Sequence, residues 1–244
     1  MSNDDNQDTG AKKSQTMQAV VLNRLRDGLI EGALIPGQVI SIRKFAAMFG
    51  TSPMPVRDAL SQLVAANALQ ELPNRSVCVP VLSRERIEEL FAVRAMLECR
   101  AARQACARAT PELVATLREL HSHVDGIAMK QSATKHAVLR RNRKFHFTLY
   151  AGAQSEILMP LIESLWLQCG PTLFMTLETA NATRAHDAHL QIINGMAARD
   201  PDMVASALER EIRETGETLL AGYDDLMSFG PLSFAMKAED PLRL

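Results

Sequence analysis

Residues 32–60 read GALIPGQVISIRKFAAMFGTSPMPVRDAL, and the punctuation of this stretch decides the fold of the N-terminal part of the chain. Gly32 and then Pro36-Gly37 end a preceding helix and make a turn, since glycine tolerates left-handed backbone and proline cannot continue a helix. Ser41 stands at the N-cap of a short helix whose Phe45, Ala46 and Phe49 face inward. Gly50-Thr51-Ser52 breaks that helix. Ser52 is placed to cap a third helix, and Pro53 falls in its first turn, where a missing N–H costs nothing. Val56, Ala59, Leu60, Leu63 and Val64 recur at helical spacing and give the third helix one apolar side.

Upstream, Val21, Leu22, Leu25, Leu29 and Ile30 share one face of a helix beginning near Met17. Downstream, 69–72 and 76–79 read as two short strands around Pro73-Asn74-Arg75. Three helices and a β-hairpin make a winged helix-turn-helix over 16–82, whose third helix enters the major groove of DNA. Residues 1–15 are polar and acidic without an apolar core, which predicts a disordered tail and not a signal peptide. From Ser83, itself a helix cap, every periodic segment is helical: 84–107, 111–128, 132–152, 155–179, 184–198 and 201–222. The expected fold is therefore mainly α, with an N-terminal winged helix-turn-helix followed by an all-helical antiparallel bundle over 83–228. Residues 229–244 carry no sustained pattern and are expected to be a C-terminal tail.

Composition supports helix over strand, because aromatic residues make up only 5% of a chain that is 47% hydrophobic. No apolar run approaches the roughly 20 residues of a membrane span. Cys78, Cys99, Cys106 and Cys169 show no paired spacing, so reduced thiols in a cytoplasmic protein are expected. The net charge is −1, and within 17–82 six Lys/Arg against four Asp/Glu leave only +2. Charge alone does not point to nucleic acid; the placement of the charges must.

The order of residues in this region resembles the DNA-binding domain of GntR-family regulators: Gly32…Pro36-Gly37, then Phe45-Ala46…Gly50…Ser52…Pro55-Val56-Arg57…Ala59-Leu60, then Pro73-Asn74-Arg75. The second half is similar to the FCD effector domain of the FadR subfamily, through Val93-Arg94…Leu97-Glu98, Asn142…Phe145-His146, and His189 early in a helix. The resemblance implies a homodimer that binds a palindromic double-stranded operator, more often as a repressor. Its grip would change when a small metabolite occupies the helical domain.

Arg57 lies early in the third helix, off its apolar face, where arginine can fork to guanine O6 and N7 or clamp a phosphate. The resemblance implies the same kind of contact for Arg43. Lys44 beside it is a diffuse phosphate attractor or a solvated lysine. Thr51 and Ser52 offer hydroxyl and N–H groups to phosphate oxygens, and Arg75 at the wing tip can reach the minor groove or the backbone. Many relatives have Arg directly after this Ser, whereas this chain has Pro53-Met54-Pro55, so a different operator sequence is expected.

The resemblance further implies a divalent-metal site at Asn142, His146, His189 and Glu211. Asn142 and His146 are four apart and share a helical face. His189 is in register with Ile192, Ile193 and Met196, and Glu211 flanks Leu208, Ile212 and Thr215. Here Glu211 stands in place of the family's usual His, and Asn142 in place of the commoner Asp. Two His and one carboxylate remain a competent set for Zn, Ni, Mn or Fe. Hydrogen-bonded core histidines are the competing expectation. His186 is one turn from His189 and is an alternative ligand, while His121, His123 and His136 are expected to be exposed. Arg94 is in register with Ile87, Leu90 and Phe91, which suits either effector binding through a carboxylate or a surface pair with Glu98. Two other functions stay open. One is a metal-dependent enzyme using the two-His-one-carboxylate set, although no nucleophile elbow, phosphate loop or HExxH is present. The other is a protein–protein adaptor whose winged helix no longer binds DNA.

Overall fold

The computed structural model describes the backbone of residues 5–128, 135–176 and 181–224, and side chains within 17–122, 135–174 and 187–224. Helix α1 (Asp5–Ile30) buries Val21, Leu25, Leu29 and Ile30. It begins well before Met17, so residues 5–15, expected to be disordered, are helical. The turn after α1 uses left-handed backbone at Gly32 (φ +72°). Strand β1 (Val39–Ile40), α2 (Ile42–Met48) and α3 (Pro53–Ala65) follow, then β2 (Gln70–Glu71) and β3 (Val77–Cys78). The strands form an antiparallel sheet in the order β1-β3-β2, with Val39 opposite Cys78 and Glu71 opposite Val77. The hairpin was legible in the sequence. Strand β1, two residues long, was not, because it is too short to show alternation.

The helical part comprises α4 (Arg84–Ala107), α5 (Pro111–Ala128), α6 (Lys135–Ala151), α7 (Leu158–Thr176), α8 (Asn181–Ala198) and α9 (Pro201–Ala221). Caps set its boundaries. Ser83 Oγ accepts from Arg86 N at 3.2 Å, and Asp200 Oδ1 from Met203 N at 2.9 Å with Pro201 behind it. Helix α7 starts later than its apolar pattern suggested, because Ser155 Oγ accepts from Leu158 N and fixes the first turn there. The broadest packing is of α9 on α4 and on α8, with α5 against α6 and α8. The residues expected to form the C-terminal tail, 229–244, lie outside the described residues. No helix among the described residues is long and apolar enough to cross a membrane.

The four cysteines are free and buried, and burial pushes the thiol of Cys169 up to about 11 and that of Cys99 up to about 12. These thiols stay protonated at neutral pH and behave as small apolar side chains.

Helix α1 is joined to the helical part through its last turn. That turn has no basic residue of its own and carries Asp27, with Glu31 just past its end, which is unfavourable at the negative end of a helix. The missing cations come from α6. Arg143 reaches Asp27 at 2.6 Å, Arg140 reaches Glu31 at 2.9 Å, and His136 Nδ1 lies 3.1 Å from the Glu31 carbonyl. His136 was expected to be exposed; it is half-buried, stacked on Phe174 of α7 at 4.6 Å. Helix α7 approaches so closely that a Cβ on Gly170 would lie 2.5 Å from the Leu29 carbonyl oxygen and 2.6 Å from Ile30 Cα. Both neighbours are backbone and cannot step aside. Gly170→Ala is therefore expected to destabilise the protein by about 1–3 kcal/mol or more, read as a shift in the denaturant midpoint.

Candidate functional site

Two sets of residues answer to the sequence. The first lies on the winged helix-turn-helix. Helix α3 buries Pro55, Val56, Ala59, Leu60 and Leu63 and exposes Met54, Arg57 and Ser61 along the opposite side. Arg43 and Lys44 are exposed in the first turn of α2, where Ser41 Oγ accepts from Lys44 N at 3.3 Å. Thr51 is half-buried in the turn between the helices, and Arg75 is exposed at the wing tip with φ 60°. Ser52 occupies the N-cap position of α3, but its side chain makes no cap hydrogen bond. A cap oxygen accepts from the second or third N–H of the helix, and Pro55 removes the third, leaving that of Met54 as the one candidate donor. The exposed Ser52 hydroxyl is left for another partner.

The second set is a polar chain buried among α4, α6, α8 and α9. On α4, Arg94 Nε donates to Glu98 Oε1 at 2.8 Å, and the two residues are 4% and 0% exposed. The expected alternatives were a ligand-binding arginine or a surface pair. The pair forms, but in the interior, with the guanidinium between the rings of Phe91 and Trp166 at 4.9 and 4.8 Å. Tyr150 on α6 donates its hydroxyl to Glu98 Oε2. Burial and the Glu98 carboxylate push that hydroxyl well above its ordinary range, so Tyr150 keeps its proton. With the proton committed to Glu98, the Tyr150 oxygen accepts from His146 Nδ1 at 3.2 Å. In the neutral ring this fixes the tautomer and leaves the His146 Nε2 lone pair free.

That nitrogen faces two others of the expected ligands. His146 Nε2 is 3.1 Å from Glu211 Oε1 and 3.2 Å from His189 Nε2, and His189 Nε2 is 3.4 Å from Glu211 Oε1. Phe145 stacks on His189 at 3.9 Å and holds its ring. Burial opposes charge on Glu211, but the His146 and His189 imidazoles hold its carboxyl well below the usual carboxylate range. His146, His189 and Glu211 thus form a cluster able to hold a metal ion. The donor triangle fits one. Bonds of about 2.0–2.1 Å in a tetrahedron place ligand atoms about 3.3 Å apart. The other carboxylate oxygen, Glu211 Oε2, is buried without a hydrogen-bond partner among the described residues. Asn142 sits half-buried one turn before His146. The side chains of His186 and His123 lie outside the described residues.

His121, expected to be exposed, is buried on α5 with its ring 5.9 Å from that of His189. Its signal was Leu117, fully buried one turn earlier on the same face. Tyr150 was overlooked in the same way, four residues beyond His146 on α6.

The chain matches the FCD domain family over residues 89–214 and the bacterial regulatory proteins of the gntR family over 17–79. It belongs to the GntR family of bacterial transcription regulators, with an FCD effector domain. The HTH-type transcriptional regulator McbR of Escherichia coli is 29% identical over 198 residues, which is 80% of this chain and 88% of that protein. The solved structure of E. coli McbR/YncC superposes with a TM-score of 0.78 at 28% identity, covering 85% of this chain and 98% of that one. The Nta operon transcriptional regulator of Aminobacter aminovorans is 27% identical over 185 residues, 76% of this chain and 86% of that protein. The protein is a DNA-binding transcription regulator with an effector-binding domain, and the metal-dependent enzyme considered from the sequence is set aside.

The two i, i+4 pairs Arg94–Glu98 and Arg213–Glu217 share a spacing but not an environment, the second being 58% and 59% exposed. Arg94→Ala is expected to cost about 3–5 kcal/mol of unfolding free energy because it strands the Glu98 charge. Arg213→Ala should cost about 0.3–0.5 kcal/mol. Urea denaturation of the two variants checks the contrast.

Proposed function

We propose that this regulator binds a palindromic operator as a homodimer, and that its FCD domain senses a small organic acid through a divalent metal ion. The observation that supports this reading is the buried triangle of His146, His189 and Glu211, with its unpartnered carboxylate oxygen. His146, His189 and Glu211 would hold Zn, Ni, Mn or Fe, with Asn142 as the weak fourth donor. A bound divalent ion supplies a Lewis-acid anchor for a ligand oxygen. Two neutral imidazoles and one carboxylate leave such an ion one net positive charge, which suits a carboxylate ligand. Arg94, already paired with Glu98, takes a different part from the direct effector contact expected from sequence. Through Glu98 and Tyr150 it orients His146, the kind of outer-sphere support that metal-bound histidines require.

On the DNA side, Arg57 and Arg43 are the base- and phosphate-reading arginines. Lys44, Thr51, Ser52 and Arg75 contact the backbone at the α2–α3 turn and at the wing. The protein acts in the cytoplasm, where its operator is. Repression is the favoured direction, as in the Paenarthrobacter nicotinovorans relative described as a probable D-xylose utilization operon transcriptional repressor, 23% identical over 214 residues.

The test is operator binding as a function of salt, on a duplex selected by the protein from random sequence. Affinity should fall steeply as salt rises, since each phosphate contact adds about 0.9 to the log–log slope. Arg57→Ala should cost about 1–3 kcal/mol and relax preference at one base pair in each half-site. Salt-independent or absent binding would instead support the adaptor reading. Tyr150→Phe should remain folded at a cost of about 1–3 kcal/mol for the unmet Glu98 oxygen, and weaken metal binding about 10–100-fold, measured by competition with a chromogenic chelator.

A further inference from the structure

The leading edge of α3 is chemically odd for a helix that reads DNA. Its exposed side runs Met54, Arg57, Ser61, at spacings of three and four, opposite the buried Val56, Ala59, Leu60 and Leu63. Met54 is 57% exposed and lies in the second position of the helix. Prolines flank it at 53 and 55, and neither has an N–H. The first three residues of α3 therefore offer one backbone donor, where a helix N-terminus ordinarily offers three. The groups with which a leading turn could hydrogen-bond a purine edge are largely gone. What projects instead is a thioether.

An apolar side chain in the major groove has one complementary base-edge group, the C5-methyl of thymine. The methionine side chain is unbranched and adapts its shape to such a group. Met54 and Arg57 are neighbours on the helix surface, separated by about 4.5 Å of rise, against about 3.4 Å per base pair. We propose that Met54 is a specificity-determining residue that contacts the 5-methyl group of a thymine one or two base pairs from the pair read by Arg57. This rests on the DNA-binding role of α3 and is independent of the metal site.

The test uses the full-length protein and the duplex that it selects from random sequence. Each thymine is replaced in turn by deoxyuridine, which removes the methyl group alone, and affinity is read by fluorescence anisotropy at fixed salt. The wild type should lose about fourfold at one thymine in each half-site, the worth of one buried methyl-sized group. Met54→Leu, which keeps an apolar tip, should show the same loss. Met54→Ala should bind the thymine and uracil duplexes equally. Indifference of the wild type to every uracil would overturn the proposal, as would an unchanged uracil penalty in Met54→Ala. Failure of the wild type to select any duplex would overturn the DNA-binding role of α3, and this assignment with it.

Discussion

Glu98 is a fully buried carboxylate on α4, and the arrangement of the helical domain depends on how its charge is met. Left alone, such a group would be too costly to bury. Arg94 answers one oxygen from the same helix, and Tyr150 answers the other from α6. The pair that neutralises the carboxylate also ties two helices together in one register. Tyr150 passes the constraint to His146, and from there it reaches Glu211 on α9 and His189 on α8. Four helices share one polar chain that runs from Arg94 to the His146, His189 and Glu211 triangle. Such a network specifies geometry more than it adds stability. Its product is an imidazole whose free nitrogen is aimed before any ligand arrives.

Helix α6 carries a second row of contacts beside the first. Asn142, His146 and Tyr150 recur every fourth residue, and His136, Arg140, Arg143 and Phe147 form a row displaced around the helix. The second row grips the acidic end of α1, whose own last turn lacks a cation. Arg140, Arg143 and Phe147 also line a groove of about 650 Å³, so this side of the helix is not packed solid. One rigid element therefore bears both the buried site and the contacts that hold the first helix of the DNA-binding unit.

Much of this was legible in the sequence, because caps and apolar periodicity are local properties. Ser83 and the helical periodicity placed 84–107 and 111–128 where α4 and α5 lie. His146 and His189 were aimed inward by their apolar neighbours, and both are buried. The failures were tertiary. The Arg94–Glu98 spacing reads identically on a surface or in a core, and only packing against Phe91 and Trp166 decides between them. His136 looked exposed because its partners, Glu31 and Phe174, are remote in sequence. One shortfall was local: Ser52 occupies the N-cap position of α3 as expected, but its side chain makes no cap hydrogen bond, and Pro55 removes one of its two candidate donors.

Metal content decides whether the triangle of His146, His189 and Glu211 holds an ion. Protein purified without chelators would be analysed by elemental mass spectrometry, alongside the His146→Ala/His189→Ala double variant. One equivalent of a divalent transition metal per chain is expected in the wild type and none in the variant. No metal in the wild type, or equal metal in both, would contradict this expectation.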